Sequence, residues 1–229
     1  MNPIYSISVI VPIYNEKRLI EKSLRTINSY LSRNFREYEI IVVESGSTDG
    51  SDRIAENVAK ELLRIRLIHE GARRGWGSGL RLGFKNARYD LIWPITVDLP
   101  FKLETVKKAI PLLANYDCVL SYRISDNRGY YRKIQSDIYN YLVKTVLGLD
   151  VAHVNSAFKI FRRDILKKFK LVSKGWFVDA EFAYRLKEKN IPFVEIGVPL
   201  IDREVGRSSV KPSAVLDTLK ELIFFLRNK

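Results

Sequence analysis

Apolar residues in the first half of the chain come in short runs bounded by turn-forming residues, and between the runs they recur at helical spacing. Residues 7–12 (Ile-Ser-Val-Ile-Val-Pro) and 39–43 (Glu-Ile-Ile-Val-Val) read as buried strands. Ile20, Leu24, Ile27 and Leu31 lie between them at intervals of three and four, which predicts a helix. The same reading gives a helix over 51–64, a strand over 65–68, a helix over 77–88, a strand over 91–96 and a fifth strand over 117–122. Strands alternating with helices of about a dozen residues indicate βαβ units around a largely parallel sheet, so the fold class is α/β. Ligands on such sheets bind beyond the carboxyl ends of the strands. The loops after Val11, Val43, Ile68 and Thr96 are therefore where chemistry is expected. Beyond Asp126 the alternation weakens and Tyr, Arg and Lys become dense.

Composition narrows this picture. With 229 residues, 46% of them hydrophobic and 28% charged, the chain suits one large globular domain. The single cysteine, Cys118, excludes an internal disulfide and fits a reducing compartment. The first residues carry no basic segment followed by an apolar stretch, and no run approaches the roughly 18 apolar residues of a membrane span. A cytoplasmic location is the expectation. The net charge of +13 favours polyanionic partners, among them nucleic acid, anionic lipid and phosphorylated substrates, or else reflects only a basic surface. Zinc-finger spacing, a basic zipper and an aromatic RNA-binding motif are all missing from the sequence, so nucleic acid is not expected.

The four loops hold recognisable text. Residues 9–16 read Val-Ile-Val-Pro-Ile-Tyr-Asn-Glu, 41–50 read Ile-Val-Val-Glu-Ser-Gly-Ser-Thr-Asp-Gly, and 74–83 read Arg-Gly-Trp-Gly-Ser-Gly-Leu-Arg-Leu-Gly. Further on stand Ser121-Tyr-Arg123, Asn155-Ser-Ala-Phe-Lys159, Gly175-Trp-Phe-Val-Asp-Ala-Glu181 and Gly206-Arg-Ser-Ser209. This ordered set, spread over nearly the whole chain, resembles the family 2 glycosyltransferases, and most closely the dolichol- or polyprenyl-phosphate mannose and glucose synthases. The resemblance implies a GT-A fold, a Rossmann-like mostly parallel sheet flanked by helices, and one domain over residues 1–229. Residues 1–125 would bind a nucleotide-sugar, 126–211 would shape the acceptor side, and 212–229 would form a C-terminal amphipathic helix.

The resemblance also assigns candidate residues. Pro12 and Tyr14 would lie against the nucleotide base and ribose. Glu16 either joins them or starts the next helix as a cap. Glu44 either accepts hydrogen bonds from base or ribose or is an end-of-strand carboxylate. Arg74 and Arg81 would meet the donor phosphates, although helix–sheet packing alone would also explain the glycines at 75, 77, 79 and 83. Their spacing is not Gly-x-Gly-x-x-Gly, which argues against a nicotinamide enzyme.

Members of the family usually carry Asp-x-Asp at the end of the fourth strand, where it holds Mg²⁺ or Mn²⁺ against the donor diphosphate. Here the matching text is Thr96-Val97-Asp98, with Pro100 where close relatives often carry Gln. Two further acids of the family pattern are replaced, by Ser45 and His153. Asp98 then binds a metal with help from waters and diphosphate, or Arg and Lys supply the neutralising charge, or the chain is a non-catalytic relative. An inverting in-line displacement is implied. A lipid monophosphate acceptor is largely a dianion at neutral pH and needs no base, whereas a sugar hydroxyl does. Asp179 and Glu181 are the base candidates, and because they stand two apart they do not share a helix face; both could instead hold helix-end or Arg partners. Arg123, Arg132, Lys159, Arg203 and Arg207 would grip an anionic acceptor or the diphosphate. His69 and His153 have no metal-like spacing and read as structural.

At the end of the chain Val215, Leu219, Leu222 and Leu226 form a helical stripe, broadened by Leu216, Ile223, Phe224 and Phe225, with Lys220, Arg227 and Lys229 nearby. Such a helix either packs on the core or lies peripherally at a membrane interface beside anionic lipid or a membrane partner.

Overall fold

The structure, a computed structural model, describes residues 5–125, 130–201 and 214–228. Seven strands form a single sheet: β1 (Ile7–Ile13), β2 (Tyr38–Glu44), β3 (Ile65–His69), β4 (Leu91–Pro94), β5 (Cys118–Ser125), β6 (Lys159–Arg162) and β7 (Phe193–Pro199). Their spatial order is β3-β2-β1-β4-β6-β5-β7. The pairings β1–β2, β1–β4, β2–β3 and β5–β7 are parallel; β6 alone runs against both of its neighbours, β4 and β5.

The helices are α1 (Ile20–Asn34), α2 (Ser51–Glu61), α3 (Trp76–Asn86), the short α4 (Thr105–Ala109), α5 (Tyr130–Leu147), α6 (Val178–Glu188) and α7 (Ala214–Asn228). They cover both sheet faces. Side chains alternate along a strand, so Ile7, Val9, Val11 and Ile13 of β1, with Ile40 and Val42 of β2, join one core layer containing Ile20, Leu24, Ile27 and Leu31 of α1. Ile10, Ile41 and Val43 point the other way, into a layer with Leu80 and Phe84 of α3, Phe182 and Leu186 of α6, and Leu222 and Phe225 of α7. Burial on both faces explains why β1 and β2 read as nearly unbroken apolar runs.

Helix α3 lies on the sheet through its glycines. A Cβ on Gly79 would stand 3.2 Å from Cβ of Pro12, and one on Gly83 only 2.2 Å from Cγ2 of Ile10. Tight helix–strand packing is thus the role of these two glycines. Gly83→Ala is expected to destabilise the fold by about 1–3 kcal/mol, the usual penalty of overpacking, as read from the urea unfolding midpoint.

Candidate active site

Strand β1 sits between β2 and β4, and the chain leaves it in one direction towards β2 and β3 and in the other towards β4 and β6. This is a switch point, and the loops at the carboxyl ends of β1 and β4 border a crevice there. Because β6 is antiparallel, its first residue belongs to the same rim: Ile92 pairs with Phe161, and Lys159 opens the strand two residues before Phe161.

The loops after β1 and β2 are stitched together. Asn15, in the left-handed region at φ 54°, donates its N–H to Oγ of Ser47 at 3.0 Å and accepts the Thr48 N–H on Oδ1 at 2.8 Å. The N–H groups of Glu16 and Lys17 reach Ser51 Oγ and Asp49 Oδ2 at 2.8 and 3.1 Å. The Glu16 carbonyl accepts from Leu19 and Ile20, which opens the turn into α1. Pro12 is buried under α3, and half-buried Tyr14 carries the guanidinium of Arg73 over its ring at 4.2 Å. Arg73 was not among the sequence candidates; its exposed neighbour Arg74 was.

Glu44 is 3% exposed and accepts the Ser47 N–H, while Nδ1 of His69 stands 3.3 Å from its other oxygen. Burial alone would raise its carboxyl, but the hydrogen bonds from Ser47 and Gly46 and the His69 contact outweigh it and hold the group below the usual carboxylate range. The sign follows: the charged form is favoured by folding, so this stabilisation is present at neutral pH and disappears as pH falls through the lowered folded value. Glu44→Gln is expected to flatten the acid side of the stability–pH curve below about pH 4.3, measured by urea melts across pH 3–7.

Ser45, where the family pattern has an acid, donates to Oε2 of Glu70 at 2.8 Å, and the Ser78 hydroxyl donates to the other oxygen of Glu70. A carboxylate is thereby brought from the end of β3 to the position where β2 and α3 meet. Glu70 was missed because only the fold places it beside Ser45.

Past β4, the Ile95 N–H extends the ladder to Ile10 O at 2.9 Å, and the Val97 carbonyl accepts the Ser23 hydroxyl of α1. Thr96 and Asp98 are half-buried at this rim, followed by a left-handed Leu99 at φ 44°. Among the described residues no group of three His, Cys, Asp or Glu side chains gathers to hold a metal ion. The donor set therefore fits a hard ion shared between Asp98 and a diphosphate, and does not fit an ion caged by protein alone.

The acceptor-side candidates divide sharply. Lys159 and Asp179 form an ion pair, with side chains 7% and 13% exposed. Glu181 is fully buried, and its two oxygens accept the N–H groups of Val172 and Ser173 at 2.8 and 2.7 Å. That geometry makes Glu181 an anchor for the loop before α6 and takes it out of the base candidates. Arg81 is tied to the same loop, donating through Nη1 to the carbonyls of Leu171 and Val172 at 3.1 and 3.0 Å. Half-buried Arg123 donates its backbone N–H to His153 Nδ1 at 3.2 Å. The Ser121 hydroxyl accepts the Phe158 N–H at 3.0 Å and ties the end of β5 to the segment entering β6. The side chain of Arg132, and Arg203 and Arg207 altogether, lie outside the described residues.

A cavity of about 250 Å³, lined by Tyr5, Asp90, Arg162, Arg163 and Asp164, opens at the opposite end of the sheet and takes no part in this rim.

Comparison with known sequences settles the lineage, since the pattern of Glycosyl transferase family 2 matches residues 8–170. The chain belongs to this family. Within glycosyl transferase family 2 it is 30% identical over 205 residues to Glycosyltransferase AglD of Haloferax volcanii, covering 84% of this chain and 32% of that protein. It is 25% identical over 232 residues to the undecaprenyl-phosphate 4-deoxy-4-formamido-L-arabinose transferase of Pseudomonas fluorescens, covering 96% and 64%. The chain thus spans about a third of one relative and just under two thirds of the other. Among solved structures it matches glucosyl-3-phosphoglycerate synthase of Mycobacterium tuberculosis in complex with Mn²⁺, UDP and phosphoglyceric acid, at a TM-score of 0.72, 20% identity, and 96% and 78% of the two chains. It also matches mannosyl-3-phosphoglycerate synthase of Rubrobacter xylanophilus at a TM-score of 0.74, 16% identity, and 98% and 74%. The fold is GT-A.

Proposed function

We propose that this chain is an inverting glycosyltransferase that moves a sugar from a UDP- or GDP-sugar to a polyprenyl phosphate. The reading divides the chain into a donor half over residues 1–125, an acceptor half over 126–211 and a terminal helix over 212–229. Pro12, Tyr14 and Arg73 would hold the nucleoside, and Arg74 the diphosphate. Asp98 would hold Mg²⁺ or Mn²⁺, which when bound supplies positive charge to the departing nucleoside diphosphate. Support comes from the family, from the polyprenyl-phosphate name of one relative and from the UDP and Mn²⁺ held by one structural neighbour.

The observation that carries the choice of acceptor is the Lys159–Asp179 pair. A carboxylate engaged by a buried ammonium is poorly placed to take a proton from a sugar hydroxyl. A phosphate acceptor arrives already ionised and needs only positive charge and alignment. Its oxygen attacks the anomeric carbon, a new C–O bond forms on one face, and the bond to the nucleoside diphosphate breaks on the other. Arg123, Arg132, Arg203 and Arg207 are the cations assigned to the acceptor phosphate.

Among the described residues no helix is long and apolar enough to cross a membrane. Contact with the lipid would be peripheral, through the outer side of α7, where Ile223 and Phe224 are 52% and 59% exposed while Leu222 and Phe225 pack on the core. The test is calorimetric titration with UDP-glucose and GDP-mannose in Mg²⁺, Mn²⁺ or EDTA, followed by transfer assays with a short polyprenyl phosphate and a free glycan. Metal-dependent binding of one donor and transfer to the lipid phosphate are expected. Binding of neither donor, or transfer only to the glycan, would overturn the reading.

A further inference from the structure

The segment 171–177, which leads into α6, is held at every turn by groups from elsewhere. Its carbonyls at Leu171 and Val172 accept from Arg81, and those at Lys174 and Gly175 accept the N–H groups of Ser78 and Gly77 at 3.0 and 3.2 Å. Two of its N–H groups go to Glu181. The remaining anchor comes from α7: Glu221 accepts the Gly175 N–H on Oε1 at 2.6 Å and the Phe177 N–H on Oε2 at 3.1 Å. A Cβ on Gly175 would stand 2.7–2.9 Å from that carboxylate, so glycine is what lets it approach the backbone.

Between the two anchored N–H groups lies Trp176, 38% exposed and stacked on Trp76 at a centroid distance of 5.3 Å and an interplanar angle of 17°. Trp76 opens α3, two residues after Arg74, and Asp179 follows Phe177 by two residues. The same clasp therefore borders both the donor-side loop and the ion pair with Lys159. Burial, then the charges of Asp179 and Glu221, pushes the Tyr139 phenol of α5 up, as expected where α5, α6 and α7 converge behind Asp179.

We infer that Glu221 is a positioning residue of the transfer site, acting through the backbone of Gly175–Phe177 to set the Trp76–Trp176 stack and the first turn of α6. The inference rests on the proposed transfer reading. A carboxylate shared by two backbone N–H groups makes strong, directional bonds. Glu221→Gln keeps the shape but turns one acceptor into an NH₂ donor facing an N–H. Glu221→Ala removes both acceptors, and Gly175→Ala displaces the carboxylate by a separate route.

The experiment combines circular dichroism of the indole exciton couplet with transfer kinetics in the wild type and these three variants, with Trp176→Phe as the reference lacking the couplet. The chain has three tryptophans, and the third, Trp93, packs against Phe101 and Phe158, so the couplet reports on the stack. The couplet is expected to collapse in all three variants. The value of kcat should fall about tenfold or more, the fold-change of losing a hydrogen bond to a charged group, with donor KM unchanged. A lowered melting temperature with couplet and kcat intact would make Glu221 a structural clasp only and overturn the inference. Should the wild type transfer sugar to no acceptor, the transfer reading fails by itself. The couplet still decides, because its retention in Glu221→Ala overturns the positioning role and its loss supports the role.

Discussion

Asp98→Ala is expected to lower kcat/KM for sugar transfer by at least about 10²-fold, the scale seen when a group that stabilises transition-state charge is removed. It should also abolish any difference in donor affinity between Mg²⁺ and EDTA. The size of the effect follows from how little else the rim offers. Thr96 stands where a second carboxylate would be, and no cluster of three potential ligands occurs among the described residues. On the proposed reading a single carboxylate would carry the protein's whole share of a bound metal, with the remaining oxygens coming from outside the protein. Thr96→Asp should do the reverse, tightening metal-dependent donor binding. Equal donor affinity and turnover in wild type and Asp98→Ala would move the charge-neutralising role to Arg73 and Arg74, whose double replacement would then carry the loss.

The second large effect concerns stability as well as turnover. Lys159→Met leaves Asp179 as a carboxylate 13% exposed with its ammonium removed, and such a broken pair destabilises by about 3–5 kcal/mol. Asp179→Asn alone strands the lysine in the same way. The double variant Lys159→Met/Asp179→Asn should recover most of that stability, because no charge is then left to be desolvated, and transfer to a lipid phosphate, which needs no base, should survive in it. A double-mutant cycle from urea melts measures the coupling directly. A coupling under about 0.5 kcal/mol would mean that the two groups act independently, and the argument for an ionised acceptor would lose its support.

Strands β1 and β2 were legible because each is an apolar run buried along its whole length and closed by polar turn residues, and β3, β4 and β5 by shorter apolar runs at the expected spacing. Their helices show a clean stripe, as at Ile20, Leu24, Ile27 and Leu31, all with no exposed surface. The later elements hide for physical reasons. Strand β6 is four residues, Lys-Ile-Phe-Arg, too short and too charged at its ends to stand out. Helix α5 buries Tyr139, Val143 and Leu147 but leaves Ile138 and Tyr141 59% and 75% exposed, which blurs its apolar stripe. In α6 a fully buried glutamate interrupts the apolar face. Spacing did separate Asp179 from Glu181: one meets Lys159 and the other faces the loop at Val172 and Ser173. Which of them faced the rim depended on the fold, as did the meeting of Arg73 with Tyr14 and of Glu70 with Ser45. Those contacts join residues far apart in sequence, and no local pattern records them.

The placement of β6 bears on how such a protein can be cut and recombined. Among the described strands, β5 and β7 reach the first four only through this reversed four-residue strand. A fragment ending near residue 125 would carry β5 with no partner and leave the edge of β4 bare, an open hydrogen-bonding edge of the kind that drives aggregation. The portion up to residue 125 is therefore not a portable module. Chimeras that exchange acceptor specificity between relatives should keep β4, β5 and β6 from one parent and graft only what lies beyond the rim.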